Sequence, residues 1–212
     1  MLANIAVEYF IKGGWVMWPI LIAALVTVAV IGERLIWWTQ LQSSREPRRI
    51  EETFSAIERG EFEQASRTCK DSKDPIARML WHGLNHHHTS LQGALQIAAG
   101  AELQRAGRFL TVLDTMVTLA PLLGLLGTVS GIFRTFLAIG TASVEGAMAQ
   151  VTGGIGEALI ATMCGLGIAI IALVPLNYFT ARHAQLQFEL EAAATNLEVM
   201  VNAAKNQRPE PV

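Results

Sequence analysis

Three long apolar stretches, separated by polar segments of very unequal length, set the pattern of this chain. They cover 15–38, 109–139 and 153–181. A membrane-spanning helix needs roughly 20 apolar residues, so each stretch predicts one span. Trp15, Trp18, Trp37 and Trp38 bracket the first, as aromatics at the two membrane interfaces do. Ahead of it, Leu2, Ile5, Tyr9 and Phe10 share one helical face before Gly13-Gly14, which predicts a short amphipathic helix over 1–14 on the outer surface. The intervening segments predict a cytoplasmic helical region over 39–108, a short periplasmic loop over 140–152, and a cytoplasmic helix and tail over 182–212. The fold class expected is all-α: three transmembrane helices, two of them extended into a cytoplasmic helical bundle.

Local signals place the smaller helices. Pro47 suits a first helical turn, and Gly60 is placed to stop that helix. Asp74-Pro75 reads as an N-cap followed by a first-turn proline. Ser90 can cap a helix that begins near Leu91. No breaker interrupts the pattern from there to Pro121, which predicts one long helix entering the second span. Leu186, Leu190, Ala193, Leu197 and Met200 recur at helical spacing, so the third span should continue as helix beyond the bilayer. The tail from Gln207 to Val212 is expected to be disordered.

Basic residues orient the spans. Ten Lys and Arg lie between the first and second spans, from Arg45 to Arg108, and none lies between Arg134 and Gln150. The long segment and the C-terminus should therefore be cytoplasmic, and the N-terminus and short loop periplasmic. Composition agrees with a mixed membrane and aqueous protein: 51% hydrophobic, 16% charged, mean hydropathy +0.36. A net charge of -2 gives no footing for nucleic acid. Cys69 and Cys164 sit in unlike surroundings and are not expected to pair. Lys12 is the sole positive charge ahead of the first span, so no cleaved signal is expected. Glu33 and Arg34, near the inner end of that span, can snorkel, or pair with each other or a neighbour.

The second span is polar in a pattern. Asp114, Pro121, Thr128 and Thr135 share one seven-residue register; Thr111, Thr118, Leu125 and Ile132 share another, three residues out of phase. Together they trace the three-four seam of left-handed helix packing. Single threonines often bond back to their own helix. Their alignment here suggests a water-lined surface. In the third span, Ala158, Ala161, Thr162, Gly165, Ala169 and Ala172 form a stripe that admits close helix contact. Pro121, Gly124, Gly127 and Gly131 would serve packing on the second span. Thr128 and Thr162 lie at matching depths, about eleven and twelve residues from the outer ends of their spans at roughly 1.5 Å per residue. Glu157, an acid within a span, is either part of a proton pathway or a partner for Arg134 near the outer interface. Asp114 is either a proton-exchanging group near the inner end or a solvated end residue.

These residues resemble the MotA/TolQ/ExbB proton-channel family, and within it the ExbB/TolQ branch. The motifs that carry the resemblance are Ala120-Pro121-Leu122-Leu123-Gly124-Leu125-Leu126-Gly127-Thr128-Val129 and Gly156-Glu157-Ala158-Leu159-Ile160-Ala161-Thr162 with Gly165-Leu166. The resemblance implies a homopentamer in the bacterial inner membrane, among membrane lipids. A pair of ExbD/TolR-like single-span partners would occupy its central pore, and proton flow would drive a TonB- or TolA-like envelope protein. It maps the family's channel threonines to Thr128 and Thr162 and its third-span glutamate to Glu157. Thr118, Thr135 and Asp114 join them as candidate pathway residues. The proton-carrying aspartate is expected on the partner, with these hydroxyls holding water and hydrogen-bonding its carboxylate. The function implied is a proton-channel subunit energising TonB-dependent uptake. TolQ-like envelope maintenance, a gliding-type motor and a non-conducting scaffold are the alternatives. A secondary transporter would need more spans and internal repeats.

Other signals carry less. His86-His87-His88 do not converge on a helix, because neighbours point about 100° apart, so no metal site is expected. Gly124, Gly127 and Gly131 are not a phosphate loop, since no lysine follows them. No nucleophile-base set stands out, and neither catalysis nor a cofactor is expected.

Overall fold

The computed structural model describes residues 10, 11, 13–139 and 144–206, without the side chains of 87–89, 138–139, 144–150 and 205–206. Seven helices are named: α1 (Met17–Ser43), α2 (Pro47–Glu58), α3 (Phe62–Cys69), α4 (Pro75–Asn85), α5 (His87–Ala106), α6 (Leu110–Ile139) and α7 (Val144–Asn206). No strand occurs among the described residues. Helices α1, α6 and α7 are long and apolar enough to cross a membrane, so the fold is all-α with three candidate spans. The amphipathic helix expected over 1–14 and the tail at 207–212 fall almost wholly outside the described residues.

The chain divides into two compact units. The first comprises Met1–Arg34 and Phe109–Tyr178. Large apolar side chains such as Leu122, Phe133, Leu159 and Ile170 stand exposed on it, the surface expected of helices whose solvent is lipid or other helices. Small residues carry much of its helix contact: Ala120, Ala158 and Ala161 are almost fully buried, joined by Leu113 and by Val16 and Ile20 near the N-terminus. At the inner end of the first span Arg34 is 1% exposed. Its guanidinium donates two hydrogen bonds to the neighbouring Glu33 carboxylate and lies 5.8 Å from the centre of the Phe109 ring. Glu33 and Arg34 thus pair with each other, one of the arrangements expected of them.

The second unit comprises Leu35–Arg108 and Phe179–Val212. Here the core is built of larger side chains, among them Ile57, Met79, Leu80, Leu95, Leu190 and Leu197. The capping signals hold. Pro47 opens α2, Gly60 follows it at φ +79, and the Asp74 carboxylate accepts from the Ile76 N–H at 2.8 Å to start α4. Asp74 also accepts from the Glu46 N–H at 2.9 Å, which ties the start of α2 to the start of α4. Ser90 has extended backbone, and its hydroxyl accepts from the Gly93 N–H at 3.2 Å, capping the helical run that follows. Glu102, buried, is held by Arg78 and Arg105.

Two expectations change. The long helix from Leu91 into the second span is broken: α5 stops at Ala106 and α6 starts at Leu110. Phe109 takes φ +64, a left-handed conformation costly for an aromatic residue. Gly107 lies against the His183 ring, whose Nε2 donates at 3.1 Å to the Leu103 carbonyl, which also accepts from the Gly107 N–H at 2.8 Å. The second change is at α7, which begins at Val144, so residues 144–152 are helical rather than loop. The rest of α7 runs unbroken to Asn206, with Leu186, Leu190, Ala193 and Leu197 buried as their spacing predicts.

Candidate functional site

The site is built where α6 and α7 cross. Their pairings run in opposite directions along the two helices: Ala120 meets Gly165, Gly124 meets Thr162, Gly127 meets Ala161, and Gly131 meets Ala158 and Gly154. The helices are antiparallel and very close. A methyl group at Gly124 would sit 2.9 Å from the Thr162 Cα; one at Gly165 would sit 3.2 Å from the Gly124 Cα and closer still to the Ala120 carbonyl. Backbone meets backbone here, the contact that glycine and alanine make available to membrane helices. The N-terminal end of α1 covers one side of this crossing, with Val16, Met17 and Ile20 packed against Ala161.

The sequence-predicted residues fall into three groups around the crossing. Thr111, Asp114 and Thr118 are exposed on α6, as are Leu125 and Ile132 of the same seam. Pro121, Thr128 and Thr162 are half-buried. Thr135 is buried beside Gly154 and donates to the Gly131 carbonyl at 2.9 Å. Its departure from the open face has a geometric cause. A straight α-helix drifts about 20° per seven residues, so Thr135 lies roughly 60° around the helix from Asp114.

The hydroxyls are committed in a common way. Thr128 donates to the Leu125 carbonyl at 2.7 Å, and Thr118 to the Thr115 carbonyl at 3.0 Å. Thr162 reaches across to the Gly124 carbonyl at 3.0 Å. A carbonyl can only accept, so each hydroxyl proton is spent on backbone. In the chain by itself the threonines present their lone pairs to a neighbour.

Glu157 lies at the far end of the crossing and is ion-paired with Arg134 of α6. The carboxylate also lies against Gly14, in the turn before α1. Sequence reasoning named Arg134 as a possible partner and missed Gly14. The sole available signal was the Gly13-Gly14 pair, since Gly14 takes φ +73, where a side chain is disfavoured. Cys69 and Cys164 are free thiols. No cluster of three metal-ligating groups occurs among the described residues, and the His86 ring nitrogen meets the His82 carbonyl, not a second imidazole.

This arrangement coincides with a family match. The model of the MotA/TolQ/ExbB proton channel family matches residues 71–192, more than half of the chain. A Synechocystis sp. protein described as ExbB-like 3, a biopolymer transport protein, is 34% identical over 202 residues, which cover 93% of this chain and 95% of that one. The chain belongs to the MotA/TolQ/ExbB proton channel family. Within the family it falls in the ExbB/TolQ branch. The biopolymer transport protein ExbB of Neisseria gonorrhoeae is 40% identical over 90 residues, 42% of this chain and 40% of that one. The Tol-Pal system protein TolQ of Pseudomonas aeruginosa is 39% identical over 93 residues, 44% and 40% of the two chains. The family is one of membrane channels rather than enzymes, and the three apolar helices make this member a multi-pass membrane protein.

Proposed function

We propose that this chain is the proton-channel subunit of an inner-membrane motor that uses the proton motive force to drive an envelope process, TonB-dependent outer-membrane uptake foremost. The observation that carries the reading is the exposed polar face of α6. Thr111, Asp114 and Thr118 lie uncovered on a helix otherwise apolar enough to span a bilayer. Hydrocarbon does not accommodate the Asp114 carboxyl, and the hydroxyls beside it keep lone pairs beyond their backbone bonds, so cover by water or protein is favoured. Five copies around an axial pair of ExbD/TolR-like partners would supply both. The excess of Lys and Arg between α1 and α6 favours a cytoplasmic second unit and C-terminus, with a periplasmic N-terminus.

In this scheme Thr128 and Thr162 form the mid-membrane station. Their free lone pairs favour a partner acid while it is protonated, and lose hold of it once it has released its proton. Thr118 and Asp114 continue the polar surface toward the cytoplasm. The driving potential is worth about 2.3 kcal/mol per charge per 100 mV, to which any pH gradient adds.

The test is proton flux into liposomes carrying this chain with its single-span partner. Thr128→Val with Thr162→Val should lower flux about tenfold or more, the loss of ~1.4 kcal/mol of site stabilisation. Native mass measurement should show the assembly unchanged. Wild-type flux from that intact variant would remove the two threonines from the proton path, and an intact wild-type complex with no flux above empty liposomes would leave a non-conducting scaffold as the better reading.

A further inference from the structure

Gly14 approaches Glu157 more closely than any side chain would permit. A methyl group there would sit 2.6 Å from the Glu157 Cδ, nearer still to Oε1, and 3.0 Å from the Arg134 Nη2. The turn holding Gly14 has no freedom to withdraw, because both following residues are anchored. Trp15 donates its indole N–H to the Ser130 hydroxyl at 2.9 Å. Val16 is 1% exposed and packs against Ala161, within van der Waals reach of a methyl group placed at Gly127. The Gly14 backbone, at φ +73, is thus pressed onto a carboxylate that is ion-paired with Arg134.

We propose that Gly14 is a positioning residue for the channel: the turn it forms boxes in Glu157 and commits it to Arg134, so that Glu157 fastens α7, α6 and the start of α1 together instead of carrying protons. This rests on the channel reading above, and it assigns the third-span acid of that reading a mechanical role. A carboxylate already paired with a guanidinium and walled by a peptide backbone has its charge balanced in place. Arg134 is 49% exposed, against 22% for Glu157, so the pair opens to its surroundings on the arginine side. Adding a methyl at Gly14 would displace the carboxylate, the end of a flexible side chain, and would also strain the turn, whose φ of +73 disfavours a side chain.

The role is separable from proton carriage by substitution in the complete complex with its partner, reconstituted in liposomes. Gly14→Ala, Arg134→Ala and Glu157→Ala should each lower proton flux about tenfold, and the Arg134→Ala/Glu157→Ala double variant should fall no further than either single, the signature of one shared interaction. Glu157→Gln should retain at least about half the flux, because the amide oxygen still accepts from Arg134 in the same space. A Glu157→Gln complex as inactive as Glu157→Ala, with assembly intact, would overturn the proposal, since it would show that the carboxyl must titrate. Wild-type flux from Gly14→Ala would overturn it too. Hydrogen exchange at residues 13–16 in the detergent-extracted complex keeps the two readings apart. Slow exchange in the wild type that becomes fast in Gly14→Ala and in Glu157→Ala supports the clamp, even where the wild-type complex fails to conduct and the channel reading falls. Unchanged exchange in both variants overturns the clamp alone.

Discussion

The two compact units solve the packing problem in opposite ways. In the first, the limit on approach is the backbone: Gly165 faces the Ala120 carbonyl and the Gly124 Cα, and Thr162 bonds to a carbonyl of the neighbouring helix. In the second, the limit is side-chain volume. Gly83 of α4 faces the Leu95 side chain, with the Leu197 side chain beyond it. Threonines of both units bond back to helix carbonyls, and the second unit adds caps and a buried acid held by two arginines, Asp74 at α4 and Glu102. The contrast follows from solvent. Burying large apolar groups stabilises a fold in water, whereas in lipid it gains little and close contact must do the holding.

That difference is best broken by making the same substitution in both places. Gly165→Ala forces a methyl group into backbone that has nowhere to go. It should cost the upper end of the about 1–3 kcal/mol typical of overpacking, read as a lower melting temperature and loss of a monodisperse species in detergent. Asp74→Ala comes next. It removes the α4 cap and the acceptor for the Glu46 N–H, and should cost about 1–2 kcal/mol while leaving the spans assembled. Gly83→Ala should be smaller than either. The Leu95 side chain can turn aside, and the gain in helix propensity of about 1 kcal/mol offsets the rest. Equal losses at Gly165 and Gly83 would erase the distinction between the two units.

The smallest effect is one of pH. Burial pushes the Cys69 thiol above its ordinary value of 9.0, against a weaker opposing hydrogen bond with Thr53. The neutral thiol is therefore favoured in the folded state. Its contribution is complete below the unfolded value and lost as pH rises through the folded one. Stability of the wild type should slope downward above about pH 9 more steeply than that of Cys69→Ala. Parallel slopes would show the thiol titrating freely.

What could be read in the sequence was local. Asp74-Pro75, Pro47, Gly60 and Ser90 announce their helix ends because the residues that do the capping are adjacent to the ends they cap. The three apolar helices follow from composition alone. The break at Gly107–Phe109 had one local trace, Gly107, a residue type that commonly ends helices; the left-handed Phe109, with the Arg34 guanidinium 5.8 Å from its ring centre, had none. The helical start at Val144 was hidden by the glycines and polar residues that follow it, which read as loop. The alignment of threonines on α6 was visible, but seven-residue numbering overlooks the drift of a straight helix, and Thr135 turns into the α7 contact as a result. Which atom each hydroxyl bonds was beyond any pattern, and that detail decides what the threonines can offer a neighbour.

The account stands on one claim: that the threonine face of α6 meets water while its other exposed face meets apolar surroundings. Cysteines placed singly at Thr118, Thr128, Leu126 and Phe133, in a Cys69→Ser/Cys164→Ser background, report this through a membrane-impermeant thiol reagent applied to the assembled complex. Rapid labelling at 118 and 128 with slow labelling at 126 and 133 is the predicted result. Labelling at 118 and 128 as slow as at 126 and 133 would contradict it.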